Sequence, residues 1–85
     1  DIIQTIGLQV AMPTASGYSL GDARYLSCLN TTAGILNIFI RDLNGKIVAS
    51  LSLNGGERLT VVKFHTYFIE AEGSGILTVP LVRTQ

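Results

Sequence analysis

The chain has 85 residues, 47% of them hydrophobic and 14% charged, and its six basic and six acidic side chains cancel. That length suits one domain with a folded surface of roughly 4,900 Å², about 63% of the unfolded chain's surface being buried. The balance leaves no basic footprint for nucleic acid, the apolar content excludes disorder, the lone cysteine excludes an internal disulfide, and no run approaches the ~20 apolar residues of a membrane helix. So little charge also gives weak protection against self-association.

Taken in chain order, the hydrophobic periodicity is two almost throughout, the signature of strands. Strands are expected at about 3–10, 23–29, 35–42, 46–53, 58–64, 67–72 and 76–83. The Asp1-Ile2-Ile3-Gln4 start shows neither the basic nor the apolar region of a signal peptide, so synthesis in a reducing compartment is expected. Residues 11–22 form the one long irregular stretch, an arm with room for a short helical turn around 18–23. Leu36, Ile38 and Ile40 then alternate with Asn37, Phe39 and Arg41, and Ile47, Ala49, Leu51 and Leu53 with Val48, Ser50 and Ser52. Between these two runs lies Asn44-Gly45, a strong hairpin signal because both residue types tolerate positive φ. Asn54-Gly55-Gly56, His65-Thr66 and Gly73-Ser74-Gly75 mark the later turns. In the last run Leu77, Val79 and Leu81 alternate with Thr78, Pro80 and Val82; Pro80 cannot donate to a ladder, so an edge or a bulge is expected there.

The chain therefore reads as a single all-β domain over residues 1–85, a small antiparallel β-sandwich or barrel of about seven strands with a meander from residue 35 onward. On a half-buried strand one face should be polar. Here Phe39, Val48, Val62, Phe64, Phe68 and Val82 place apolar groups on the second face as well. Apolar surface left over after the core is filled is expected to meet a partner. The residues expected at such a protein interface are Tyr18, Tyr25, Phe39, Val62, Phe64 and Phe68.

No catalytic pattern emerges. Cys28 lies in a strand pattern, where a free cysteine behaves as a small buried hydrophobe, and His65 sits at a turn. A nucleophilic pair would need them in hydrogen-bond reach with a third orienting group. One His and one Cys do not complete a four-ligand zinc site. Glu70 and Glu72 share a strand face, a pattern better suited to a solvated edge than to calcium or glycoside chemistry. The glycine pairs lack the strand-to-helix setting and the lysine of a phosphate loop. Asn30-Thr31-Thr32 matches a glycosylation acceptor, but a strand-to-turn transition is the simpler role. The expectation is no enzyme, no cofactor, no metal, no nucleic acid and no membrane.

The segment Arg24-Tyr25-Leu26-Ser27-Cys28-Leu29-Asn30-Thr31-Thr32-Ala33-Gly34, the strand Ile38–Asp42, the step Leu51-Ser52-Leu53-Asn54-Gly55-Gly56-Glu57-Arg58-Leu59-Thr60-Val61 and the terminal Gly73–Val79 together resemble small bacteriophage virion proteins, especially capsid decoration (cement) proteins. The likeness covers about two thirds of the chain and consists of strands and turns. It implies a non-enzymatic structural protein of the virion, made in the host cytoplasm and repeated in a symmetric assembly or homo-oligomer. Its partners would be other virion proteins, the major capsid protein foremost, and it would stabilise the shell by contacts between neighbouring subunits. The alternatives are another phage component (tail or neck) or a small carbohydrate-binding β module using Tyr18, Tyr25, Tyr67 or His65. The arm 11–22 and the first strand are the elements expected to reach toward a partner by β-addition.

Overall fold

The computed structural model describes residues 2–5, 9–15, 17–21 and 23–84, with backbone only for 2–5 and 82–84. It is all-β. Its strands are β1 (Ile2–Thr5), β2 (Val10–Ala11), β3 (Tyr25–Asn30), β4 (Leu36–Arg41), β5 (Ile47–Leu53), β6 (Arg58–Val62), β7 (Phe68–Ala71) and β8 (Ile76–Thr84). A five-stranded sheet runs β1-β8-β3-β6 with β2 also on β8, and a three-stranded sheet runs β5-β4-β7. β1 and β2 follow one another along the same edge of β8, so they are the two halves of the single expected first strand.

The two sheets pack face to face. Leu26, Ile38, Leu53, Ile69 and Ile76, all under 2% exposed, lie between them, and each contributes about 1.5–3 kcal/mol of burial. Met12 and Ala23 join that core from the two ends of the irregular segment. The accessible surface is 4917 Å², as scaling anticipates for a compact single chain of this size.

A meander from residue 35 is not what forms. Among the described strands only β4 and β5 make a hairpin within one sheet; the turns after β5, β6 and β7 each carry the chain across to the other sheet. The hairpin follows from its residues: Asp42 accepts at Oδ1 from the amides of Asn44 (2.9 Å) and Lys46 (3.0 Å), and Gly45 takes φ 83°. The 54–57 turn instead docks on the 30–34 turn. Asn30 N–H donates to Glu57 O (3.0 Å) and Gly56 N–H to Asn30 O (2.8 Å). That docking is what turns the chain out of the plane of its first sheet.

The irregular arm is held rather than extended. Ala71 N–H donates to Pro13 O and Ile69 N–H to Tyr18 O, both at 2.9 Å, so the arm runs beside β7 as an imperfect strand. It bridges from the β1/β2 edge of one sheet to the β7 edge of the other and closes that side of the sandwich. No helix forms at 18–21 or 23 among the described residues; Leu20 and Gly21 make a turn with positive φ. The pairings are thus first with last (β1 and β2 with β8), arm with β7, β3 with β6 and β4 with β5. This is a hairpin rolled onto itself, the jelly-roll connectivity.

Pro80 sits in β8, which is central in its sheet, but its position resolves the apparent conflict. Alternation along the β3–β8 register points the backbone of Leu77, Val79 and Leu81 at β3 and that of Ile76, Thr78 and Pro80 at the other neighbour. Thr5 faces Leu81 and Val10 faces Thr78, so the register slips between β1 and β2, opposite Pro80. The missing donor falls at the irregularity, as the sequence suggests.

Candidate functional site

The two outward faces of the sandwich differ. On the three-stranded sheet, Asn37, Phe39 and Arg41 of β4 point out, beside Ser50 and Ser52 of β5 and Phe68 and Glu70 of β7. Polar groups there satisfy one another. Arg41 Nε donates to Glu70 Oε1 at 2.6 Å, and Ser52 Oγ donates to Asn37 Oδ1 at 2.6 Å. Phe39 and Phe68 are half-buried among these groups.

On the five-stranded sheet the register places Tyr25 between Val62 and Leu81, Ser27 between Thr60 and Val79, and Leu29 between Arg58 and Leu77. Since Leu26 and Cys28 point into the core, these are the outward residues. Six of the nine are apolar or aromatic: Tyr25, Leu29, Val62, Leu77, Val79 and Leu81. Val79, at the centre, is only 8% exposed although it lies outside the core cluster. Arg58 Nη1 donates to Ser27 Oγ at 2.8 Å, laying the guanidinium over this face. No described helix or strand covers the face from outside.

The six residues singled out from sequence do not form one site. Tyr25 and Val62 are cross-strand neighbours on the apolar outward face, with Val62 60% exposed. Phe39 and Phe68 share the opposite, polar one. Tyr18 is 55% exposed on the arm. Phe64, 56% exposed just after β6, packs its ring against His65 (centroids 4.8 Å apart) and Tyr67 (5.2 Å). The outward groups of β8 were missed, because Leu77-Val79-Leu81 reads as a core-facing set with Val82 on the second face. The orientation is the reverse: Thr78, 1% exposed, turns inward and meets Cys28. The side chain of Val82 lies outside the described residues. The one available signal was Thr78-Pro80, a small polar residue and a proline alternating with three aliphatics.

The remaining chemical groups are occupied by structural tasks. Cys28 is fully buried, its Sγ 3.6 Å from Thr78 Oγ1. Burial pushes its thiol above the ordinary value, outweighing the Thr78 hydrogen bond and the Arg58 charge, which pull it down. Such a thiol is a poor nucleophile. Glu70 is paired with Arg41, and Glu72 Oε1 accepts from Asn37 N–H at 2.9 Å. No group of three metal-binding side chains occurs among the described residues. Asn30 is 0% exposed and spends its whole amide internally. Its Nδ2 donates to Gly34 O (2.9 Å) and Leu53 O (2.7 Å), and its Oδ1 accepts from Thr32 N–H (2.9 Å) and Thr32 Oγ1 (2.7 Å). That is the strand-to-turn role read from the sequence, and it leaves no amide for a glycan.

Comparison with protein-family models, with curated proteins and with solved structures finds no match to this chain.

Proposed function

We propose that this chain is a structural protein of a bacteriophage virion, a capsid decoration subunit that works by contact and turns over no substrate. The observation that carries the reading is the contrast between the two outward faces. A subunit laid on a shell needs one face that gains by being covered and one that stays in water. Tyr25, Leu29, Val62, Leu77 and Leu81 supply the first; Arg41, Glu70, Asn37 and Ser52 supply the second. Burying an apolar sheet face is favourable at about 25 cal/mol per Å². Repetition over a symmetric shell multiplies a modest contact into stable attachment. Jelly-roll connectivity is compatible with the reading, since capsid domains use it, but lectins and cupins use it too.

A carbohydrate-binding module is the second reading, favoured by the exposed Phe64 ring packed beside His65 and Tyr67. The test is made on particles. Mass spectrometry of purified virions should find the chain at many copies per particle, and particles lacking it should lose resistance to heat or osmotic shock. Re-addition of the protein should restore resistance; the double variant Leu77→Lys, Leu81→Lys, on the apolar face, should not. Absence from particles, or equal robustness without it, rejects the decoration role. Saturable glycan binding lost on Phe64→Ala supports the second reading.

A further inference from the structure

A sandwich of two sheets has four edge strands, and exposed edges invite pairing unless something blunts them. Among the described residues three are blunted. The β7 edge is covered by the arm through Pro13 O and Tyr18 O. The β5 edge carries a register irregularity opposite Ile40 and Arg41. The β1/β2 edge slips register between its halves. The fourth edge, β6, is unbroken.

The sequence of β6, Arg-Leu-Thr-Val-Val, contains no proline, no glycine and one charge. All its residues but Val61 are exposed. Lys63, the next cation, does not guard the edge: it is buried and its Nζ donates to His65 O at 3.0 Å. Lys63 N–H donates to Arg24 O and Asn30 N–H to Glu57 O. Alternation between those bonds directs the backbone of Leu59 and Val61 at β3. The N–H and C=O groups of Arg58, Thr60 and Val62 therefore point away from the sheet.

We infer that β6 pairs antiparallel with β6 of a second copy of this chain, with Thr60 on the two-fold axis. In that register Thr60 meets Thr60, and each Arg58 meets Val62 of the second copy, so the outward backbone groups of both strands are satisfied. Leu59, 40% exposed at the edge, comes to lie across from Val61 of the second copy and is covered. Charge agrees with the register. The two Arg58 positions are about 13 Å apart along the ladder, beyond the screening length. The two apolar outward faces become one continuous sheet surface. This contact stands independently of the decoration reading and is read on the isolated protein.

The contact is a narrow strip, so half-dimerisation is expected at about 10–100 µM. Sedimentation equilibrium of the full chain should show a mass rising from 9.1 kDa to twice that value with concentration. Thr60→Pro removes an outward N–H without touching the β3 ladder and should raise the half-dimerisation concentration at least tenfold. Thr60→Asp sets two carboxylates face to face and should do the same with an unchanged circular dichroism spectrum, which covers the case of a misfolded proline variant. A nitroxide on Thr60→Cys should show dipolar broadening in the dimer; the same label on Asn44→Cys, in the β4–β5 turn, should not. A monomer at 1 mM, a dimer that survives Thr60→Asp, or a label at position 60 without broadening overturns the pairing.

Discussion

Replacing Asn30 by alanine tests how much of this small sandwich hangs on one amide. The side chain makes four hydrogen bonds that tie the end of β3 to the 31–34 turn and to the last carbonyl of β5. The bond to Leu53 O is fully buried and adds a second donor to a carbonyl that the β4–β5 register already pairs with Leu36. Each net hydrogen bond lost costs about 0.5–1.5 kcal/mol, the buried one toward the upper end. Because the turn bonds are shared and partly replaced by water, the sum expected is about 3–4 kcal/mol. A domain of this size holds only about 4–13 kcal/mol in all, so the variant should lose about 15–25 °C in Tm. Urea unfolding followed by far-ultraviolet circular dichroism measures the loss, tryptophan being absent. Asn30→Asp should be at least as damaging at pH 7, because a carboxylate cannot donate to Gly34 O or Leu53 O. A loss under 1 kcal/mol for Asn30→Ala would refute the idea that this amide joins the two sheets.

Gly55→Ala should destabilise by about 2 kcal/mol, since a Cβ there would meet Thr32 O at 2.6 Å and Ala33 C at 2.8 Å, both backbone atoms; thermal melts check it. Glu70→Gln breaks the half-buried ion pair with Arg41 and should cost about 0.5–1 kcal/mol, with a smaller difference in 1 M salt. For Cys28 the folded thiol titrates above its ordinary 9.0. The unfolded chain then releases its proton first as pH rises, so stability is full below about pH 9 and falls above it. Cys28→Ala, though less stable throughout, should lose that alkaline slope in urea titrations. In native protein the thiol should resist aromatic disulfide reagents until global unfolding.

Much of the fold was legible because local chemistry and global arrangement agree. Asp42-Leu43-Asn44-Gly45 makes its hairpin with bonds internal to the turn, and the alternation of β4 sets Ile38 and Ile40 inside. What escaped the sequence depends on distant partners. The inward turn of Thr78 is decided by Cys28, fifty positions earlier, and nothing in the local alternation of β8 favours it. The arm looked free because, among the described residues, its backbone bonds to β7 run through the carbonyls of Pro13 and Tyr18, with no strand periodicity to announce them. The candidate site was half legible for the same reason: Tyr25 and Val62 were found as apolar second-face groups, but their companions sit on the strand whose orientation was reversed.

The placement of β8 has a consequence for how the chain comes together. It follows every other described strand in sequence, yet it lies between β1 and β3 in the middle of the larger sheet. Among the described strands, short-range pairing is confined to the β4–β5 hairpin, so that element forms early, and the rest must wait for distant segments to meet. During synthesis β3 and β6 can pair while the place of their central neighbour stands empty. For that interval β3 offers an unpaired edge beside exposed Leu26 and Cys28, the arrangement most prone to capture a strand from another chain. Folding of this protein is thus sealed by insertion of a middle piece, and its moment of greatest vulnerability comes just before it is finished.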